Sequence, residues 1–228
     1  MFYHSVDEFT TKILHNQTDV ICAKHLLYKI YVQDQNWPIF DNNPSGIKIK
    51  VSKDQKMILI DDYDRYSTWV GTFYNDKLIA CGRIIGRDHN GLLEIERYPI
   101  SNVLKAKIAI SVMPNLVELN RSAIHQDYRN TVTWPCLLHF AFKYCGKQKL
   151  NAISTTGYQK VIDMHKAIGF EIVDGEGFKY HPADETRVEV FLASTSSNID
   201  NITKNLEKII KEKLSIISSP HHSLYAKF

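Results

Sequence analysis

The stretch Thr68-Trp69-Val70-Gly71-Thr72-Phe73-Tyr74-Asn75-Asp76-Lys77-Leu78-Ile79-Ala80-Cys81-Gly82-Arg83-Ile84-Ile85 decides the fold class. Two runs rich in β-branched and aromatic residues flank Asn75-Asp76. Both turn residues tolerate positive φ, so the reading is a β-hairpin closed by a two-residue turn.

Upstream of the hairpin, Ile21, Leu26, Leu27, Ile30 and Tyr31 recur at three-to-four spacing. That spacing predicts an amphipathic helix over residues 20–32, ending near the Asn36-Trp37-Pro38 break. Residues 41–46 are dense in turn formers and read as a loop. Downstream, a less regular stretch containing Pro99 and Pro114 leads into Leu116-Val117-Glu118-Leu119-Asn120-Arg121-Ser122-Ala123-Ile124, a strand with polar residues at unexpected places. A helix over residues 137–144 stopping at Gly146, a short buried strand at 151–154 and a helix over 158–168 closed by Gly169 follow. Strands at 170–173 and 187–193 come next, then a helix over 199–217 with Ile202, Leu206, Ile209, Ile210 and Leu214 on one stripe. From Ser218 onward, His221 and His222 included, the sequence reads as a loose tail. A helix, a hairpin and then alternating strands and helices describe an α/β or α+β sandwich around one central sheet.

With 228 residues, 44% of them hydrophobic, the chain suits one core, assigned to residues 1–195, with 196–228 as a carboxy-terminal helix and tail. The net charge of +3 offers no broad basic face for phosphates, so nucleic acid is not an expected partner. The four cysteines include no CxxC pair and read as apolar fillers or free thiols of a reducing compartment. Cys22 with His25, and Cys136 with His139, have a spacing zinc can use, but both pairs fall on predicted helices, and no metal is expected. The amino-terminal residues lack a basic region followed by an apolar run, and no stretch approaches the length of a membrane span. The expectation is a cytoplasmic protein without integral membrane association.

The run Ile124-His125-Gln126-Asp127-Tyr128-Arg129-Asn130, then Pro135-Cys136-Leu137-Leu138, then Ile168-Gly169-Phe170-Glu171, resembles the second half of a GNAT acyltransferase. In that superfamily a helix amino terminus after a strand holds the pyrophosphate of coenzyme A. Here the usual loop glycines are replaced by Asn130, Thr131, Val132, Thr133 and Trp134. Further features match a narrower branch in order: Trp37 after the first helix, Asp61 and Asp64 three apart, Arg83 at the end of the second hairpin strand, and Glu118-x-x-Arg121. The sequence thereby resembles the acyl-homoserine-lactone (autoinducer) synthases and N-acyl amino acid synthases over about residues 20–194. It departs from them in a longer insertion between Trp37 and Asp61, and in lacking the first-helix arginine of the lactone synthases near Leu27, where Lys24, Tyr28 and Lys29 are neighbours.

The resemblance implies a GNAT-like three-layer sandwich with a mixed, mainly antiparallel twisted sheet between helices. It also implies transfer of a fatty acyl group from an acyl carrier protein or coenzyme A thioester to the amine of an amino acid or amino-acid-derived acceptor. S-adenosylmethionine is the acceptor if the product is a lactone, and no tightly bound cofactor is expected. Such a reaction needs a neutral amine, a donor at attack distance and stabilisation of the oxyanion. Glu118, Arg121 and Arg83 are the expected catalytic residues, with Glu118 taking the amine proton. Trp37, Asp61, Asp64, Trp134 and His165 are expected on the substrates, His165 standing where many GNAT enzymes carry a tyrosine that protonates the leaving thiolate. Ile124, Arg129, Asn130 and Thr131 are expected on the pantetheine donor. Lys143, Lys147, Lys149, Lys160 and Lys166 read either as a landing face for an acidic carrier protein or as solvated helix surface. Two other readings stand beside this one: a divergent acetyl-coenzyme A N-acetyltransferase, and a catalytically inactive binding protein of the same fold that docks through the 202–214 stripe.

Overall fold

The computed structural model describes residues 3–6, 9–173, 177–180, 186–194 and 196–217. The tail read from Ser218 onward lies outside the described residues. Among them, one sheet runs in the order β1 (Tyr3–Val6), β2 (Phe9–Ile13), β5 (Ser67–Tyr74), β6 (Lys77–Ile85), β7 (Leu116–Ile124), β8 (Asn151–Thr156), β10 (Glu189–Ala193) and β9 (Glu171–Ile172). Every pairing is antiparallel except β7 with β8. A separate two-stranded sheet, β3 (Lys48–Val51) with β4 (Met57–Ile60), fills the insertion between Trp37 and Asp61.

The hairpin forms as the sequence dictates. Asn75 and Asp76 both adopt positive φ, 47° and 61°, which matches the turn to the twist of its strands. Alternation along β5 and β6 then sends side chains to opposite faces. Val70, Ala80 and Ile84 join the core beneath α3 (Thr133–Gln148), while Trp69, Phe73 and Cys81 pack with α1 (Gln17–Leu27). On the α1 face, the far half of the sheet is covered by Leu93, Ile95 and the α2 helix (Asn102–Ile108). The layers are therefore α1 and α2, sheet, and α3 with α4 (Gln159–Ile168) and α5 (Ser196–Ile217).

α1 starts at Asn16, whose side chain accepts from Asp19 N at 2.6 Å, a cap worth about 1 kcal/mol. After Leu27 it widens into a π-helical segment, Tyr28–Asp34, so the helical stretch reaches beyond the predicted residue 32. α3 is longer than the predicted 137–144 and runs through Gly146, with Lys149 at φ 55° as its left-handed cap. Gly146 serves packing rather than termination: Ile199 Cγ2 of α5 lies 3.4 Å from where a Cβ would stand. Gly169, at φ 99°, does terminate α4. The predicted strand at 170–173 is a short β9 over Glu171 and Ile172, with Val173 N also donating to Val190 O at 2.8 Å.

The α5 stripe faces inward. Ile199, Ile202 and Leu206 are buried with α3 residues, and Ile210 packs on Val132 and Cys136 with Phe9 and Leu214 alongside. Each buried Ile or Leu of that stripe stabilises the fold by about 1.5–3 kcal/mol.

Candidate functional site

The β7 strand explains its own irregular sequence. Its register with β6 pairs Cys81 with Ala123 but Arg83 with Asn120, so Arg121 is the extra residue of a β-bulge, at φ 51°. Before the bulge, Glu118 and Asn120 share one face by period two. After it the parity changes, so that Ala123 returns to the α1 face. Arg121 is aimed to the same side, where it meets Asp61. Three polar groups, Glu118, Asn120 and Arg121, thereby converge on one face of a buried strand. At the same place the sheet opens: β7 and β8 pair only from Leu116 with Asn151 to Leu119 with Ser154, while β8 continues along β10 to Thr156.

Arg83, on the neighbouring strand, projects to that face and is 2% exposed. Its Nη1 and Nη2 donate to the two oxygens of Asp61 at 2.7 and 2.8 Å, Nη1 also reaches Asp64 at 3.3 Å, and Nε donates to Asn120 Oδ1 at 2.9 Å. Arg121 Nε donates to Asp61 Oδ2 at 3.2 Å, and its Nη2 donates to Glu94. Lys24 Nζ closes the cluster on Asp64 Oδ2 at 2.7 Å. The Arg121 guanidinium carbon stands 5.6 Å from the centre of the Trp37 ring, which meets Tyr31 and Tyr180 edge-on. The π-helical winding positions this wall: Trp37 N donates to Tyr31 O at 2.8 Å, and Tyr31 Oη donates to Ser122 O at 3.0 Å.

Glu118 accepts from Ile95 N at 3.0 Å and from Asn120 Nδ2 at 3.3 Å, and among the described residues has no ion pair of its own. Burial, and next the carboxylate of Glu94, push its pKa up to about 8. Burial works against ionisation of Asp61 as well, but the two guanidinium groups hold its pKa below the ordinary carboxylate value. Adjacent acids of the same cluster are thus driven in opposite directions, an arrangement suited to proton transfer.

Six of the expected site residues, Trp37, Asp61, Asp64, Arg83, Glu118 and Arg121, come together here. Lys24 supplies a cation from the first helix, where the lactone synthases were expected to place an arginine. Glu94 and Asn120 are members the sequence reading missed. Asn120 carried a signal, its even spacing from Glu118; Glu94 carried one only as an acid set among Leu92, Leu93 and Ile95. A groove of about 450 Å³ lined by Leu14, Val20, Lys24, Asp64, Trp69 and Tyr144 reaches the cluster from outside through Lys24 and Asp64. Glu118 and Arg121 lie deeper, 2% and 7% exposed.

Trp134 and His165 lie elsewhere, on the α3 side of the sheet. Their rings meet at 5.6 Å between centroids, and His165 also packs on Phe170 and Phe191. Its Nδ1 lies 2.7 Å from Val161 O and its Nε2 3.3 Å from Ser154 Oγ. Burial lowers its pKa to about 4, so the ring is neutral near pH 7. Phe140 and Phe142 are fully buried in the same core.

Ile124, Arg129, Asn130 and Thr131 form the passage from β7 into α3. Asn130, at φ 66°, takes the left-handed conformation for which a loop glycine is the usual choice. Thr131 Oγ1 accepts from Thr133 N at 3.2 Å, and Pro135 has no N–H, so the first turn of α3 keeps few free donors. Positive charge comes instead from Arg129, which is 3.4 Å from Asp34, and from Lys213 of α5, whose Nζ donates to Asn130 O at 2.9 Å. Of the two Cys–His spacings, His25 Nδ1 lies 2.7 Å from Met57 O, and His139 Nε2 lies 3.1 Å from Glu207 Oε1.

Residues 46–139 match the acetyltransferase (GNAT) domain family. A comparison with curated protein sequences finds no match. Among solved structures, the fold is similar to that of FeeM, an N-acyl amino acid synthase from uncultured soil microbes, with a TM-score of 0.62 and 14% identity over 88% of this chain and 97% of that one. It is also similar to BjaI, a CoA-dependent acyl-homoserine lactone synthase solved with SAM and isopentyl-CoA, at 0.57 and 13% over 84% and 83%. A third similar structure is the AHL synthase LasI, at 0.52 and 14% over 82% and 89%. The chain has the GNAT acyltransferase fold, a mixed and mostly antiparallel sheet between helical layers. Among the described residues no helix is long and apolar enough to cross a membrane.

Proposed function

We propose that the chain is an N-acyltransferase that moves a fatty acyl group from an acyl carrier protein or coenzyme A thioester to the amine of an amino acid or amino-acid-derived acceptor. The observation that carries this reading is the bulge at Arg121, which gathers Glu118, Asn120 and Arg121 beside the opening between β7 and β8. The acceptor approaches through Lys24 and Asp64, with Trp37, Asp61 and Asp64 on its side of the cluster. Its neutral nitrogen attacks the thioester carbonyl carbon, the carbon–sulfur bond breaks after the tetrahedral stage, and the amine proton passes by way of Glu118 to the departing thiolate.

Glu118 is the fitting base because its pKa near 8 lets it hold the proton after taking it, while its ionised form is accessible in mildly alkaline solution. Arg83 and Arg121 orient the acids and the acceptor carboxylate. The donor enters along Ile124, Arg129, Asn130 and Thr131, with Arg129 and Lys213 facing its phosphates. Trp134, with His165 behind it, lines the acyl side. The His165 ring, enclosed by Phe170 and Phe191, leaves the proton to Glu118.

The match of residues 46–139 to an acetyltransferase domain favours a second reading, acetyl-coenzyme A-dependent N-acetylation. A binding protein docking through the 202–214 stripe is disfavoured by the packing of that stripe on α3.

Mass spectrometry of lipids extracted after expression, together with purified-enzyme assays using acyl carrier protein and coenzyme A thioesters, separates these readings. An N-acyl amino acid or a lactone, lost in folded Glu118→Gln and Arg121→Ala variants, is the expected result. Acetylated amines alone move the assignment to the second reading. Folded variants with undiminished transfer sink the role given to the cluster.

A further inference from the structure

We propose that Glu94 is a positioning residue of this acyl-transfer site: its carboxylate, set between Arg83, Arg121 and Asn120, fixes the groups against which Glu118 works. The proposal rests on the reading of Glu118 and Arg121 as site residues.

Glu94 is 1% exposed, and both of its oxygens are engaged. Oε2 accepts from Arg83 Nη2 at 3.0 Å and from Asn120 Nδ2 at 2.7 Å, while Oε1 accepts from Arg121 Nη2. It opens a single 3-10 turn, Glu94–Arg97, anchored by the buried side chains of Leu93 and Ile95. The next residue on that turn, Ile95, gives its N–H to Glu118. One short element therefore delivers a carboxylate to both arginines and a donor to the proposed base.

Asn120 is the hinge of this geometry. Its one Nδ2 serves Glu94 and, at 3.3 Å, Glu118, while its Oδ1 accepts from Arg83. Without Glu94 the two guanidinium groups keep Asp61, with the more exposed Asp64 3.3 Å from Arg83, as their remaining acids. A carboxylate at Glu118 then becomes their next partner, and the proton leaves it more readily. The other groups facing Glu118 are Tyr63, Tyr98 and Tyr180, and burial pushes all three phenols up, keeping them neutral. Arg121, on its own strand, is the cation that favours its ionised form.

The test compares wild type, Glu94→Gln and Glu94→Asp, each checked for folding by circular dichroism. Infrared titration reads the protonated-carboxyl band that disappears in Glu118→Gln. In Glu94→Gln its midpoint is expected to fall by about 1–3 pH units, the size of a neighbouring-charge effect. In Glu94→Asp, which keeps the charge but withdraws it by one methylene, the shift is expected to be intermediate. The acid limb of kcat/KM against pH should move in step, a response that loss of packing alone does not produce. An unchanged midpoint in whichever variant folds overturns the proposal. A wild-type chain that transfers no acyl group overturns the acyl-transfer reading instead, and the titration still decides on Glu94.

Discussion

Arg83 holds Asp61 in a two-pronged grip, Nη1 to Oδ1 at 2.7 Å and Nη2 to Oδ2 at 2.8 Å, with side chains only 1% and 3% exposed. Such a pair adds little net stability over an apolar replacement, but removing one member strands the other in a dry interior. Asp61→Ala is therefore expected to lower unfolding free energy by about 3–5 kcal/mol in urea titrations. Asp64→Ala, at a position whose side chain is 21% exposed, should cost much less.

Arg83→Lys tests the fork rather than the charge. A lysine carries one point charge and no planar pair of donors, so it cannot serve Asp61, Glu94 and Asn120 at once. The expected result is a folded but less stable variant, with a loss of transfer out of proportion to the conserved charge.

The pKa of Glu118 also makes stability depend on pH. Folding raises it from the ordinary 4.5 to about 8, so the native chain binds the extra proton in between. The stabilisation is fully present below about pH 4.5 and is lost as pH rises through 8. Denaturation midpoints are expected to fall for wild type between about pH 6.5 and 9, and to fall less for Glu118→Gln, which mimics the protonated side chain. His165 runs the other way. Its folded pKa of about 4, below the ordinary 6.5, gives a contribution present above 6.5 and lost as pH falls through 4.

At the hairpin tip, Asp76 holds φ 61°, a conformation that aspartate tolerates but glycine adopts without steric cost. Asp76→Gly is expected to raise stability by about 0.5–1 kcal/mol, read as a higher thermal midpoint with unchanged transfer activity.

Leu206 is fully buried between α5 and the core under α3. Leu206→Ala should cost about 2–5 kcal/mol. A neutral outcome contradicts the packing of α5 as an integral layer.

The hairpin was legible because its turn chemistry and β-branched runs agree with the observed structure at Asn75 and Asp76. Glu118 and Arg121 were legible because charges at apolar strand positions demand partners, whereas Asp61, Asp64 and Arg83 were singled out through the family resemblance. What hid the rest was the bulge. Period-two reading puts Glu118 and Arg121 on opposite faces, and only the left-handed Arg121 restores them to one. Glu94 was concealed for a different reason: it sits on one 3-10 turn, too short to show a period. β4 and α2 were missed in stretches whose burial depends on elements distant in sequence, β3 in a wholly exposed one, and Gly146 was misread because its neighbour is Ile199, on another helix.

Phe9 of the second strand and Leu214 of the last helix pack on the same small cluster around Val132 and Cys136. Phe9 alone cannot close this seam, so during synthesis it stays partly open until Ile210 and Leu214 of the α5 helix are in place. The sheet is thereby sealed last beside the loop around Asn130, and a nascent chain stalled before Ile210 leaves uncovered the segment proposed above to meet the thioester.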